Sequence, residues 1–378
     1  MELAQLMDLR PQPAAGLLMM LTRRCPLRCA HCSTGSTMTA AEPDAGNLLR
    51  FTGSFTSADH PETLLLTGGE PLLLPELTAE LAGLARAAGT RTALLTGAFF
   101  ARDVGRTPGG PGARGVLPDR IRRAVDAVDH FSVSLDAFHE REVPRAGVFR
   151  VVREVLDAGT AASFHLLGTG PEDPYLADVT TAVRREFGDR VPMLVNSVRP
   201  VGRAAADARP AANRGPAAGV AHDPLRALPC SMAAWPVVAD DGTVVACCNQ
   251  DTVDRRPVPP HLLLGHAGED DWPTVRRRTT GSPVLRAVRT VGPTRLLARH
   301  GGPAAQATRD AGYCAGCRAL GEHPEAVAGA ERLASGPAGA LLDQRAARRQ
   351  REAGPVAYVR RHGCAPYADL VALPGTGS

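Results

Sequence analysis

Six short apolar runs recur through the first two hundred residues, and helix-patterned stretches lie between them. This alternation constrains the fold more than any other feature of the chain. The runs are Gly16–Thr22, Thr63–Thr67, Arg91–Leu95, His130–Leu135, Ala162–Leu167 and Pro192–Ser197. Helical patterning lies around Leu74–Ala87, Pro118–Val128, Val148–Ala158 and Leu176–Phe187. Short strands spaced by helices read as βαβ units, hence an α/β fold on a parallel sheet or barrel. Val104–Leu117, dense in Gly, Pro and Arg, reads as a surface loop.

Composition narrows the function classes. The 378 residues are 44% hydrophobic, enough for a sizeable core, and only 4% aromatic, so that core is mostly Ala, Val and Leu. All 43 basic residues are Arg. Without lysine there is no pyridoxal Schiff base and no P-loop phosphate grip. A net charge of +4 over this length is too dilute for a nucleic-acid partner. No apolar run approaches the ~20 residues of a membrane helix. The N-terminus lacks the basic start and cleavage site of a signal peptide, so the expected location is cytoplasmic.

Nine cysteines in a reducing compartment point to metal or catalysis rather than disulfides. Cys25-Pro-Leu-Arg-Cys29-Ala-His-Cys32 follows directly on the first strand, at the C-terminal mouth of the sheet. A four-iron cluster normally takes four thiolates, so three from one loop leave one iron open to a substrate or cofactor. A zinc site here would need a fourth ligand such as His31, and adjacent residues rarely close a tetrahedron. The second strand ends Thr67-Gly68-Gly69-Glu70-Pro71, where the absence of Cβ atoms permits close approach to a ligand. The fourth ends Ser132-Val133-Ser134-Leu135-Asp136.

In these three segments the sequence resembles the radical S-adenosylmethionine (radical SAM) superfamily. The resemblance implies a partial (β/α)6 TIM-like barrel with a [4Fe–4S] cluster on Cys25, Cys29 and Cys32. The open iron of that cluster chelates S-adenosylmethionine. It further implies that Gly68, Gly69 and Glu70 bind the methionyl amino group, mainly through backbone carbonyls. Ser134 and Asp136 would face the carboxylate or ribose, and His31 the adenine. Arg145 is the nearest match to a carboxylate-binding Arg, with Arg141 as its rival. Pro200-Val201-Gly202-Arg203 resembles a PxGR segment that closes the barrel in many members. His139 and His165 read as strand-end or core histidines satisfied by a backbone partner, outside the core assignment.

Cys230, eleven residues, Gly242, four residues and Cys247 resemble the opening of a SPASM or Twitch auxiliary-cluster domain. An Asp-Gly turn at Asp241-Gly242 folds Trp235–Ala239 onto Thr243–Cys247 as a hairpin. Cys314-Ala-Gly-Cys317 adds two thiols. Too few cysteines follow for a full SPASM domain, so the resemblance implies one auxiliary [4Fe–4S] cluster on Cys230, Cys247, Cys314 and Cys317. Cys248 is the alternative to Cys247, and zinc on the same four cysteines is the rival metal. Cys364 reads as a free buried thiol. The expected organisation is an N-terminal segment (1–14), the barrel (15–210), a linker (211–227), a small Twitch/SPASM-like domain (228–320) and a helical tail (321–378). Arg199–Asp223 is Pro, Ala and Gly without periodicity, and Pro337–Arg351 is patterned as a helix.

The resulting expectation is hydrogen-atom abstraction by a 5′-deoxyadenosyl radical, for two-electron oxidation of a small molecule in specialised metabolism. An external donor of flavodoxin or ferredoxin type would reduce the cluster. Only about fifteen residues precede the first strand, too few for a peptide leader-binding domain, and a single auxiliary cluster points the same way. Peptide side-chain modification is the alternative, and a non-catalytic iron–sulfur protein that binds S-adenosylmethionine is the non-enzymatic one.

Overall fold

The computed structural model describes residues 1–102, 116–207, 229–310 and 312–373. The expected linker 211–227 lies outside them, as does nearly all of the loop expected at Val104–Leu117. A short helix, α1 (Leu3–Leu9), leads into β1 (Gly16–Met20). Then follow α2 (Ala45–Thr52), β2 (Thr63–Thr67), α3 (Pro75–Ala88), β3 (Arg91–Thr96), α4 (Asp119–Asp126), β4 (His130–Asp136), α5 (Arg145–Asp157), β5 (Ala161–Gly168), α6 (Pro174–Phe187) and β6 (Met193–Ser197). The six strands pair in chain order and all are parallel. This is the expected partial (β/α)6 barrel of an α/β protein.

Local chemistry fixes the crossovers. Helix α3 starts with Pro75 in its first turn and stops at Gly89, whose φ of 99° is the left-handed conformation of a C-terminal cap. Helix α6 starts with Pro174 after Asp173, whose side chain accepts from the Tyr175 amide. Aliphatic side chains on the outer face, such as Leu64, Leu66, Leu94, Val133 and Leu166, are fully buried, while Leu18, Leu65 and Leu194 of the inner face line the barrel cavity.

Beyond β6 lies α7 (Arg203–Asp207), and after the undescribed segment come β7 (Val237–Val238) and β8 (Thr243–Val245). They form the expected hairpin, with Gly242 at φ 85° in its turn. Yet the hairpin is not a separate sheet. β7 pairs parallel with β1, Leu18 opposite Val237, and covers an apolar edge that would otherwise lie open. After α8 (Gln250–Val253), β9 (Leu263–His266) pairs with β8, so nine strands among the described residues make one sheet. Trp235 seals the junction. Its indole donates to the Leu9 carbonyl at 2.9 Å, and it lies so close on Gly16 that a Cβ there would come within 2.3 Å of the ring.

The remainder is helical: α9 (Trp272–Gly281), α10 (Pro283–Thr290), α11 (Pro293–His300), α12 (Gln306–Asp310), α13 (Tyr313–Ala319), α14 (Pro324–Ala334), α15 (Gly336–Glu352) and α16 (Gly354–His362). Val284, Val288, Leu296, Leu297 and Leu320 make a separate small core here. A buried pair, Arg289 with Asp343 at 2.7 Å, ties α10 to α15. The chain then returns to the barrel. The Cys364 amide donates to the Val195 carbonyl of β6 at 2.9 Å, and α16 packs on α1. The tail therefore closes the open side of the barrel, and Cys364 is buried there, 3% exposed.

Candidate active site

The cysteine loop is built by backbone zippering to the end of β2. The Gly69 amide donates to the Thr22 carbonyl, and the Glu70 amide to the Arg24 carbonyl at 2.9 Å. A Cβ on Gly68, at φ 143°, would sit 2.5 Å from the Thr22 oxygen, and one on Gly69 2.5 Å from the Arg24 oxygen. The two glycines are thus required by the loop that leads from β1 to Cys25. This requirement stands beside the expectation that their bareness serves approach to a ligand, since both glycines also line the cavity.

The segment after β6 clamps the same loop from the other side. Arg203 donates through Nε to the Cys29 carbonyl at 3.0 Å and through its amide to the Cys32 carbonyl at 3.0 Å. Gly202, at φ 58°, packs so tightly that a Cβ would meet the Ser33 carbonyl at 2.2 Å. Burial pushes the Cys25 and Cys29 thiols up to about 12. At Cys32 burial acts in the same sense, but Thr34, the Ser36 amide and Arg203 outweigh it and draw the thiol down.

All three thiols open on one cavity of about 700 Å³. His31 lines it too, its Nε2 3.2 Å from Asp136 Oδ2, while its Nδ1 is buried without a partner. Asp136 ends β4, and its Oδ1 accepts from the Phe138 and His139 amides. Burial works to raise its carboxyl, but His31 and the His139 amide together hold it below the usual range. Gly68, Gly69 and Ser134 line the same wall. Glu70 also reaches it, with its carboxylate already engaged by Thr96 Oγ1 (2.7 Å), the Gly97 amide (2.9 Å) and the Leu72 amide (3.0 Å). Burial pushes that carboxyl up to about 7.

Arg145 is placed differently. Its guanidinium pairs with Glu140 at 2.6 Å and Asp178 at 2.7 Å, and it does not line the cavity. Arg141, exposed, lies over the Phe138 ring at 5.7 Å. His139 has a backbone partner, the Gly97 carbonyl at 2.7 Å. His165 instead meets the Asn196 side chain at 3.0 Å and faces the cavity.

The second cysteine set gathers where the hairpin meets α13. Burial pushes the Cys317 thiol well up, and Cys247, Cys230 and Cys314 beside it push further. Cys230 is driven to about 11 by burial first, then by Cys248 and Cys314. The Cys247 thiol accepts from the Asn249 amide at 3.4 Å. Its neighbour Cys248 is the member of this set that lines the cavity. Among the described residues no three His, Cys, Asp or Glu side chains are arranged to hold a single metal ion.

Sequence reasoning missed the far wall of the cavity: Arg10, which caps α1, Met232, Trp235, and Tyr358 and His362 of α16. No spacing signal links α1 to α16, which meet only through the fold.

Residues 19–194 match the radical SAM superfamily. Among solved structures, the chain resembles native anSMEcpe with bound AdoMet and Cp18Cys peptide at 12% identity. That likeness covers 69% of this chain and 79% of that one, with a TM-score of 0.45. Streptococcus suis SuiB bound to precursor peptide SuiA is similar at 10% identity, over 75% and 67%, with a TM-score of 0.46. BtrN in complex with AdoMet and 2-DOIA is similar at 13% identity, over 74% and 87%, with a TM-score of 0.41. No curated protein matches the chain.

Proposed function

We propose that this chain, whose residues 19–194 are a radical SAM domain, uses S-adenosylmethionine to oxidise a small molecule by two electrons. In this reading Cys25, Cys29 and Cys32 hold the domain's [4Fe–4S] cluster. Cys230, Cys247, Cys314 and Cys317 hold an auxiliary one, with Cys248 as the rival ligand.

The observation that carries the reading is one cavity lined by Cys25, Cys29 and Cys32 and, on its other side, by Cys248 of the second cysteine set. Three thiols on one clamped loop are the donor set for a cluster with an open corner. The unpartnered buried Nδ1 of His31 and the Ser134–Asp136 strand end are polar groups suited to an adenosyl ligand beside it. When bound, the cluster supplies the electron that cleaves S-adenosylmethionine to a 5′-deoxyadenosyl radical, which takes a hydrogen atom from substrate. Arg203 and Gly202 fix the loop against β6, and Gly68 and Gly69 fix it against β2. Leu18, Met20, Leu65 and Leu194 give the space between an apolar wall. A volume of about 700 Å³ lies in the range of small-molecule pockets, roughly 300–1,000 Å³.

The test is anaerobic. Reconstituted protein is expected to carry two four-iron clusters, about eight irons per chain, and to form 5′-deoxyadenosine when reduced with S-adenosylmethionine. Replacing Cys25, Cys29 and Cys32 by Ala is expected to remove about half the iron and all of the 5′-deoxyadenosine. Full iron in that variant, stoichiometric zinc in the parent, or no 5′-deoxyadenosine from the parent would overturn the reading.

A further inference from the structure

The carboxylates that line the cavity are confined to one end, where Arg203 is engaged by the carbonyls of the cysteine loop. These carboxylates, Glu70 and Asp136, both belong to the cysteine-loop end and both are engaged by neighbours. The opposite wall carries Arg10, Arg199 and His362.

Arg10 is the unusual member. It keeps only part of its surface, and that part is on the cavity. Its guanidinium lies over the Trp235 ring at 4.4 Å. Its hydrogen bonds to Met232 Sδ (3.5 Å) and Cys248 Sγ (3.6 Å) both leave from Nη2, and sulfur is a weak acceptor. Its titratable neighbours are the Tyr358 hydroxyl and Cys248, and among the described residues no carboxylate pairs with it. Nε and Nη1 carry three of the five guanidinium hydrogens, and neither atom is sealed in protein without a partner.

Other inward arginines have their own partners: Arg289 has Asp343, Arg145 has Glu140 and Asp178, Arg23 has Asp240, and Arg203 has the Cys29 and Ser36 carbonyls. Arg199 lines the same cavity, is exposed, and its side chain makes no ion pair or hydrogen bond among the described residues. His362 stands between the two, with Nε2 on Ser231 Oγ at 2.8 Å. Its imidazole is pushed down to about 4 by burial first, then by Arg361, Arg10 and Arg199. Two guanidinium groups thus converge around a neutral imidazole, and among the described residues no carboxylate lines this corner of the cavity.

We propose that Arg10, Arg199 and His362 form an anion-binding corner that takes a carboxylate or phosphate group of the substrate. The proposal rests on the radical SAM reading above and names its substrate class: an acid, held by its anion at the wall opposite the cysteine loop. A guanidinium held over an indole keeps its fork in place, which suits either planar carboxylate or phosphate oxygens. Free energy lost in keeping an unpaired guanidinium off bulk water is recovered when such an anion enters.

The experiment is a thermal-unfolding titration of the full chain with its clusters reconstituted, at constant ionic strength set with chloride. Malonate and inorganic phosphate are the two probes. A saturable rise in Tm with malonate alone assigns a carboxylate, with phosphate alone a phosphoryl group, and with both a general oxyanion corner. The rise is expected to vanish in Arg10→Gln, to persist at higher probe concentration in Arg10→Lys, and to weaken severalfold in Arg199→Gln. Should Arg10→Gln not fold, the Lys variant and Arg199→Gln, whose parent side chain makes no hydrogen bond or ion pair among the described residues, carry the same comparison. No rise with either probe, or an equal rise in every variant, overturns the proposal. An anion effect unchanged in Arg10→Gln, together with an altered auxiliary-cluster spectrum, would make Arg10 a partner of Cys248 instead, and also overturns it. Formation of 5′-deoxyadenosine by the same parent preparation is read separately, so failure of the enzymatic reading is distinguishable from failure of the corner.

Discussion

Gly69 is a residue whose meaning changes between sequence and structure. A side chain there meets the Arg24 carbonyl and the Arg23 carbonyl carbon, so the loop bearing Cys25 has to move. The neighbour is backbone and cannot swing aside. Gly69→Val is therefore expected to lose the barrel cluster itself, about half of the bound iron by the same count of two clusters, and with it 5′-deoxyadenosine formation. Iron analysis after reconstitution checks this, and a variant with full iron and normal cleavage refutes it. The thiols, the glycines and the Ser134–Asp136 strand end were legible because each follows a strand directly, and the ends of parallel strands converge at one mouth. Arg145 was not legible, because a motif position says nothing about Glu140 and Asp178 competing for the guanidinium. Arg10 was invisible for the opposite reason: its partners lie more than 200 residues away.

At the scale of elements, long buried strands and the longer helices were readable within a residue or two, as at Thr63–Thr67, where pattern and structure coincide. Short elements were not. Helix α1 has seven residues, too few to persist alone, and exists because Leu3, Leu6 and Leu9 pack into a core shared with Trp235 and Val359. The turn of the β7–β8 hairpin was legible from Asp241-Gly242, but its parallel pairing with β1 was not, since two residues of strand carry no periodicity. In the helical region the joint that matters is Arg289 with Asp343. The guanidinium is 3% exposed, donates twice to that carboxylate through Nε and once through Nη2, and reaches the Ala233 carbonyl beside the second cysteine set. Removing one partner leaves the other charge buried, at a cost of about 3–5 kcal/mol. Arg289→Met is expected to lose that much in denaturant unfolding, and Arg289→Met with Asp343→Leu to recover most of it. A loss below about 1 kcal/mol, the range of an exposed pair, would mean that α10 and α15 are held by their apolar contacts alone.

For the molecule as a whole, the tail and the hairpin turn an open half-barrel into a closed vessel with cysteines on two sides. β6 is capped by α16 and the segment after it, β1 is extended by β7, and the cavity between collects residues from Arg10 to Gly363. That closure bears on the redox outcome. A substrate that has lost a hydrogen atom either gives up one more electron or recovers a hydrogen atom. Four thiolates from Cys230, Cys247, Cys314 and Cys317 would leave an auxiliary cluster with no iron open to substrate, which suits it to accept the electron. Cys248 and the Asn249 bond to Cys247 put that set within one residue of the cavity wall. The expected stoichiometry is then one S-adenosylmethionine consumed per product. Cys314 is the exposed member of the set, at the start of α13, so Cys314→Ala would remove a proposed ligand with little effect on the core. That variant is expected to pass deuterium from labelled substrate into 5′-deoxyadenosine and yet form no oxidised product. Sub-stoichiometric use of S-adenosylmethionine, or full product from Cys314→Ala, would instead make the reaction redox-neutral and leave the second cysteine set a structural anchor between the hairpin and α13.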